Sequence, residues 1–279
     1  MSILLGLLRA AMILVIAVKA MLDRAIPNRH KNKTLISILF LLLPAPMRAQ
    51  NTGAQAPLYA NNGLPDFTVD ASSLKDWDIV DRTFGTVFIP FPCELEEGTI
   101  NALGTRRLLR FSVALMNRAG SVPTARWVYE ADGGGHWEGP YAPLMVYDTC
   151  HGHYHFEGMT TYVLLDAASR VVVAGRKQAF CLMDVRQDRG GAAIGLFDCA
   201  NQGVSQGWSD IYDRPLSGQW LDITGVPAGR YILRVTVNPF GYLNEGLNVY
   251  SNVLDIVVQI PKPTQRVPYL ICRNDFYCE

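Results

Sequence analysis

Three of the five histidines in this 279-residue chain stand at alternate positions of one short segment, Cys150-His151-Gly152-His153-Tyr154-His155-Phe156-Glu157. Alternate side chains of an extended strand point to the same face, so the segment predicts a strand with three imidazoles on one face and two core aromatics on the other. Same-face positions lie roughly 6 to 7 Å apart, and a curved strand would let the rings converge on one ion. We therefore expect a metal site here.

The imidazole donors leave the identity of that metal open. Imidazole ligands suit zinc, copper, iron or nickel. The segment shows no fourth protein ligand nearby, which leaves coordination positions for water or substrate. The spacing is therefore typical of a catalytic metal rather than a structural clamp.

The beginning of the chain predicts a leader. Two apolar runs, Ile3 to Val18 and Leu35 to Leu43, flank a basic segment, and small residues follow the second run. A basic region, a short apolar region and small residues are the pattern of a signal peptide, and nine apolar residues are too few to span a bilayer. We assign residues 1–56 to a signal or leader segment and residues 57–279 to a single catalytic domain; retention of the first run as an anchor stays open.

The charge of the predicted domain limits its partners. Residues 1–56 hold seven Lys or Arg and one acidic residue, so the remainder carries 18 basic and 24 acidic groups, a net charge of −6. An acidic domain argues against nucleic acid as a partner and favours cationic ones. We expect no stable membrane partner unless the leader is retained.

Short runs of alternating polarity after Leu64 predict an all-β domain. One run places Leu109, Phe111, Val113 and Leu115 against polar or small neighbours, and a second begins at Tyr231. Such runs are typical of half-buried strands. Glycine-rich turns separate them, and the expected architecture is a β-sandwich-like domain with long irregular loops. His136, beside Gly133-Gly134-Gly135, is interpreted as a surface loop residue rather than a ligand.

All six cysteines follow the leader, which favours an oxidising, extracellular compartment. Their number does not determine their pairing. Cys272 and Cys278 are close enough in sequence to form a local pair.

Several ordered blocks resemble the catalytic domain of the lysyl oxidase family. The match runs from about Leu64 to Val258, and its blocks are Cys150-His151-Gly152-His153-Tyr154-His155, Gly175-Arg176-Lys177-Gln178-Ala179-Phe180-Cys181-Leu182, Cys199-Ala200-Asn201-Gln202-Gly203, Gly207-Trp208-Ser209-Asp210-Ile211-Tyr212 and Gln219-Trp220-Leu221-Asp222-Ile223-Thr224. The resemblance implies a secreted copper amine oxidase that uses O2 to convert primary amines, of protein lysine or small molecules, to aldehydes with release of ammonia and hydrogen peroxide.

The same resemblance implies roles for individual residues. His151, His153 and His155 would bind copper, and Lys177 and Tyr212 would form the cofactor lysine tyrosylquinone. Copper can redox-cycle with oxygen and zinc cannot, which suits oxidation of a nearby phenol. Asp210 would share a side of an extended segment with Tyr212 and is a candidate general base; the alternative is a turn-forming aspartate.

The chain also departs from the family pattern. Trp208 and Gly218 stand where animal members carry a cysteine pair, and Arg176 replaces a histidine that commonly precedes the cofactor lysine. The resemblance implies a disulfide between Cys150 and Cys199. It leaves Cys93 and Cys181 either paired with each other or free.

Two other classes of function stay open. One is a secreted zinc hydrolase in which Glu157, continuing the alternation of the histidines, acts as general base. The other is a non-catalytic metal-binding β-sandwich module. Visible colour and peroxide production separate both of them from a quinone-dependent amine oxidase.

Overall fold

The structure is a computed structural model that describes residues 61–85, 92–131, 133–175, 179–188, 190, 194–246 and 252–269. The predicted leader, the boundary at residue 57 and the proposed Cys272–Cys278 pair lie outside the described residues. Strands dominate the described part, and its only α-helix is the single turn α1 (Cys93–Glu96). The prediction of an all-β fold is confirmed.

The strands are short, as expected for a chain with frequent turn residues. In chain order they are β1 Phe67–Val69, β2 Trp77–Phe84, β3 Gly104–Phe111, β4 Val113–Asn117, β5 Val122–Tyr129, β6 Gly135–Glu138, β7 Met145–Asp148, β8 His153–Glu157, β9 Thr160–Leu165, β10 Val171–Ala174, β11 Ala179–Phe180, β12 Arg186–Gln187, β13 Asn201–Val204, β14 Trp208–Tyr212, β15 Trp220–Asp222, β16 Gly229–Val237 and β17 Val253–Ile260. Single 3₁₀ turns lie at Ser73–Lys75 and Ala142–Leu144.

Within the described residues the strands form five antiparallel sheets. Their orders are β1-β4-β14-β12, β10-β9-β16-β17, β11-β8-β7, β13-β5-β6 and β15-β3-β2. The β7–β8 hairpin carries the histidine segment, and β14 carries Tyr212. Gly133 and Gly134 precede β6, whose first residue is Gly135.

Burial follows the predicted alternation along β16. Leu233, Val235 and Val237 are buried, whereas Arg234 and Thr236 between them are half-buried. The β-branched and large apolar residues of this strand suit a pleated surface that is covered on one face. The half-buried strand predicted here is confirmed.

The other predicted run, around Leu109 to Leu115, is buried on both faces, so that part of the prediction is wrong. The chain changes sheets at Ser112, where β3 ends and β4 begins. Ser112 donates to Asp76 from both its N–H (2.9 Å) and its hydroxyl (2.6 Å). Arg110 can be buried because Asp78 accepts two of its N–H groups, at 2.9 and 2.6 Å.

Two disulfides correct the predicted cysteine pairing. Cys93 pairs with Cys150 and Cys181 pairs with Cys199, with Cα–Cα distances of 5.5 and 5.1 Å. The predicted Cys150–Cys199 bridge is therefore wrong, and Cys93 and Cys181 neither pair with each other nor stay free. Sequence order does not encode connectivity. The observed pair joins α1 to the residue before His151.

His136 is a surface residue, as predicted, but it lies on strand β6 rather than in a loop. Its ring nitrogens face Glu130 and Glu138 at 2.8 and 3.3 Å. Among the residues that the structure describes, no helix is long and apolar enough to cross a membrane.

Candidate metal and cofactor site

A tight turn shapes the histidine segment. β7 and β8 pair in register with Asp148 opposite His153, and the Gly152 N–H donates to the Asp148 carbonyl at 2.9 Å. Gly152 has φ +70°, a left-handed conformation that favours glycine. His151 therefore lies in the turn and not in the strand, which begins at His153. The predicted single alternating strand is wrong at that one position.

Asp148 fixes the conformation of the turn through its side chain. Its Oδ1 accepts the backbone N–H groups of Cys150 and His151, at 2.9 and 3.0 Å. Burial acts to raise the pKa of Asp148, but the His151 N–H, the nearby His151 and His155 rings and the Cys150 N–H outweigh it, so the pKa is lowered. The carboxyl is thus an anion at neutral pH.

The turn brings the three imidazoles together. Ring centroids lie 5.9 Å apart for His151 and His153, 5.4 Å for His151 and His155, and 4.7 Å for His153 and His155. His155 is buried and His153 is exposed, so the cluster sits at the protein surface with one side in the interior. The two Nε2 atoms of His153 and His155 face each other at 2.9 Å.

The opposite ring nitrogens face oxygen atoms. The Nδ1 atom of His153 lies 3.1 Å from the His151 carbonyl, and Nδ1 of His155 lies 3.3 Å from Asp148 Oδ2. An oxygen acceptor beside Nδ1 keeps the proton there, which leaves the Nε2 lone pair for a metal. Two donors bound to one ion at about 2.0–2.1 Å stand roughly 3 Å apart, which is the observed Nε2 separation. The residues therefore fit a metal of the type that imidazoles bind.

The back of the histidine strand rests on aromatic rings. Tyr154 contacts Trp127, Trp137 and Tyr147, with centroid distances of 5.3, 5.5 and 5.1 Å. Phe156 is fully buried. The two predicted core aromatics thus anchor β8, so the histidines keep a fixed orientation.

A carboxylate that the sequence did not indicate lies against the cluster. Glu97, just after α1, places Oε1 2.5 Å from Nε2 of His151, although 54 positions separate the two residues. Glu97, Asp148 and His151 each offer a possible ligand atom within 4.8 Å of the others. The Cys93–Cys150 disulfide joins the segment of Glu97 to the segment of His151. Knowledge of that pairing would have allowed the sequence to predict that Glu97 lies near His151.

Tyr212 is held in the core at the end of β14. It is 4% exposed, and its hydroxyl donates to Asp210 Oδ2 and lies 3.4 Å from the Cys181 carbonyl oxygen. Burial, followed by the adjacent Asp210 carboxyl, raises the pKa of Tyr212 well above its ordinary value. The phenol is therefore neutral across the physiological range.

Asp210 is 1% exposed and lies inside a strand, so it is not the turn-forming aspartate considered above. Burial raises its pKa to about 8, against hydrogen bonds from Tyr212 and from the N–H groups of Met183 and Ile211 that act to lower it, while Asp184 adds to the rise. A carboxyl with a pKa near the working pH can both take up and release a proton.

Lys177 lies outside the described residues, as does Arg176. Its neighbours in sequence are placed: Ala179 and Phe180 of β11 pair with Glu157 and Phe156 of β8. Cys181, whose carbonyl oxygen is beside the Tyr212 hydroxyl, follows directly. The segment after Lys177 thus lies between the histidine strand and Tyr212. Glu157 is half-buried at the end of β8.

Comparisons with known proteins match the same region. The sequence profile of the lysyl oxidase family matches residues 93–260. Lysyl oxidase homolog 3B of Danio rerio is 39% identical over 145 residues, which is 49% of this chain and 16% of that protein. Lysyl oxidase homologs 2 and 3 of Homo sapiens are 34% and 37% identical over 159 and 141 residues, or 53% and 49% of this chain. The aligned part of this chain spans less than a fifth of these relatives, 19% and 17% for the human proteins.

Proposed function

This chain belongs to the lysyl oxidase family, and we propose that it is a secreted copper amine oxidase that converts primary amines to aldehydes. The overall reaction takes RCH2NH2, O2 and H2O to RCHO, NH3 and H2O2. The observation that carries the proposal is the pair of Nε2 atoms of His153 and His155 that face each other at 2.9 Å with both Nδ1 atoms beside oxygen acceptors.

His151, His153 and His155 would hold the copper, and Lys177 and Tyr212 would form the lysine tyrosylquinone. Bound copper would supply redox cycling with oxygen, and the quinone would supply the electrophilic carbonyl that takes up an amine. Asp148 orients the His155 ring, since its Oδ2 lies beside Nδ1. The Cys181–Cys199 disulfide holds the segment between β8 and Tyr212.

Asp210 is the residue that would accept the proton of the Tyr212 hydroxyl. Its Oδ2 accepts the hydrogen bond of the phenol, and it is a candidate base for the α-proton of the amine. Its raised pKa suits that role, because a carboxylate that ionises near neutral pH has a strong enough affinity to accept a proton from carbon. Burial of both residues keeps water from competing for the hydrogen bond.

The substrate class agrees with the charge of the domain. Residues 57–279 carry a net charge of −6, and primary amines are cations at neutral pH. Protein lysine and small amines both satisfy this condition. Disulfides at Cys93–Cys150 and Cys181–Cys199 support an extracellular location, where such bonds persist.

A peptide map of the purified, copper-loaded protein tests the proposal. The peptides that contain Lys177 and Tyr212 should run as one coloured, hydrazine-reactive species, and the protein should produce peroxide with a primary amine. The Lys177→Arg variant should keep the fold and the copper and lose the quinone and amine turnover. Two separate unmodified peptides in a preparation that oxidises amines would refute the mechanism.

The same preparation separates the alternatives. A colourless protein that binds zinc and loses a hydrolytic activity in Glu157→Gln would favour the hydrolase, in which Glu157 is the general base. A colourless protein with neither activity would favour the binding module.

A further inference from the structure

Glu97 meets the histidine cluster at His151. Its Oε1 lies 2.5 Å from Nε2 of His151, and both side chains are largely buried, with 14% and 10% exposure. Glu97, Asp148 and His151 each offer a ligand atom within 4.8 Å of the others, close enough for one ion to be shared. An oxygen and a nitrogen this close share a hydrogen bond in the copper-free protein.

Glu97 and Asp148 meet the cluster in different ways. Asp148 lies beside Nδ1 of His155, the nitrogen on the far side of the ring from the facing Nε2 atoms. It therefore acts through the ring, as outer carboxylates commonly do. Glu97 instead lies beside Nε2 of His151, where its oxygen and that nitrogen are close enough to bind the same ion.

A disulfide holds the segment that carries Glu97 next to the segment that carries His151. α1 begins at Cys93, whose disulfide partner Cys150 precedes His151. Glu97 follows α1 directly, and its N–H donates to the Cys93 carbonyl at 2.8 Å. Through these links the position of the carboxylate relative to His151 is set by the fold and not by a long flexible arm.

The geometry points to Glu97 as a fourth protein ligand of the metal, so that the centre consists of three imidazoles and one carboxylate. This inference rests on the proposed function for the identity of the metal as copper. An anionic oxygen ligand neutralises one charge of Cu(II) and favours it over the softer Cu(I), which prefers sulfur ligands. Glu97 thus stabilises the oxidised form of the centre.

Copper(II) titration of the purified, copper-free protein tests the inference, with affinity measured against a competing chelator and the bound ion observed by EPR. Glu97→Gln should lower the affinity by about 100-fold or more, beyond the roughly 10- to 100-fold effect of outer partners. Its EPR spectrum should shift, because a carboxylate oxygen would no longer be a donor to the ion. Far-UV circular dichroism and thermal unfolding of the copper-free form establish that the variant is folded.

Two further variants separate ligation from charge. Glu96→Gln removes the same charge from the adjacent residue, whose carboxylate meets the Thr149 hydroxyl at 3.4 Å instead of a histidine. It should keep the wild-type affinity and spectrum. Glu97→His should restore affinity to within about tenfold and add a fourth imidazole nitrogen to the spectrum, since imidazole is also a good copper ligand.

The outcomes distinguish this inference from the proposed function. A Glu97→Gln variant with the wild-type EPR spectrum and unchanged affinity would overturn the assignment of Glu97, as would an equal loss of affinity in Glu96→Gln. A wild-type protein that takes up no copper, or a His153→Ala variant that retains it, would instead overturn the copper site itself.

Discussion

The histidine cluster and the buried tyrosine are held in place by opposite means. His151 and His153 lie in and beside a turn near the surface, where hydrogen bonds hold them and the Cys93–Cys150 disulfide brings Glu97, from the segment after α1, against His151. Tyr212 and Asp210 lie inside β14, where close packing fixes them and each is the other's partner. We therefore expect that removing a histidine from the turn lowers metal affinity and changes the free energy of unfolding little, whereas a change in β14 changes the free energy of unfolding.

The largest expected effect is on metal binding at the turn. His153→Ala should abolish copper uptake and cofactor formation, because it removes one of the two Nε2 atoms that face each other. Its side chain is exposed, so the free energy of unfolding of the copper-free protein should change by about 0.5 kcal/mol or less. Metal analysis and denaturant unfolding give the two numbers. Stoichiometric copper in this variant would contradict the ligand assignment.

A second effect separates the core from the turn through pH. The carboxyl of an unfolded Asp ionises near 3.8, whereas burial raises the pKa of folded Asp210 to about 8. Between these values the folded state holds a proton that the unfolded state has lost, so the free energy of unfolding falls as pH rises from about 4 to 8 and levels off above that. Across this pH range, Asp210 alone should lower the free energy of unfolding by an amount on the order of several kcal/mol.

Asp210→Asn should remove this slope, because an amide does not titrate and can still bind the Tyr212 hydroxyl. Denaturant unfolding of copper-free, unprocessed wild type and variant at several pH values gives the difference curve, in which the other titrating groups cancel. Parallel curves would mean that Asp210 titrates alike in the folded and unfolded states.

The two disulfides provide a smaller, graded comparison. Paired Cys→Ala changes at Cys93 and Cys150 should lower the free energy of unfolding by about 4 kcal/mol, and at Cys181 and Cys199 by about 3 kcal/mol, because the closed loops have sequence separations of 57 and 18. Copper affinity should fall more in the Cys93 and Cys150 double variant, because that disulfide joins the segment of Glu97 to the segment of His151. Equal affinity in both would show that the turn holds its geometry without the bridge.

The sequence predicted the features that follow from local periodicity. Alternation of polarity identified the all-β class, and the spacing of Asp210 and Tyr212 placed both on one side of β14, where they bond. The spacing of the histidines predicted their convergence. It misplaced His151, because the positive φ of Gly152 turns the chain before the strand begins.

Features that depend on distant parts of the chain could not be predicted. Glu97 lies 54 positions before His151 and contacts it where a disulfide joins their two segments, and no count of cysteines reveals which ones pair. Arg110 is buried against the alternation because Asp78, on a neighbouring strand, binds it. The local alternation of polarity is thus enough to predict the strands. The surroundings of the site depend on disulfides and ion pairs between residues that are distant in sequence.

The smallest expected effect concerns a histidine outside both regions. Hydrogen bonds to Glu130 and then Glu138 raise the pKa of His136 above its ordinary value. A histidine with a raised folded-state pKa stabilises the fold fully below its unfolded pKa, and this contribution is lost as pH rises through the folded value. Because the side chain is exposed on β6, solvent screens the ion pairs and the contribution to stability should be slight.

His136→Gln should therefore leave copper stoichiometry, copper affinity and amine turnover at wild-type values. Its matched partner is His153→Ala, an exposed histidine whose loss should abolish all three. NMR titration of the copper-free protein should give His136 a pKa above about 6.5 that disappears with the substitution. A drop in copper stoichiometry in His136→Gln would place a ligand on β6, and the separation of surface histidine from metal histidine drawn above would then fail.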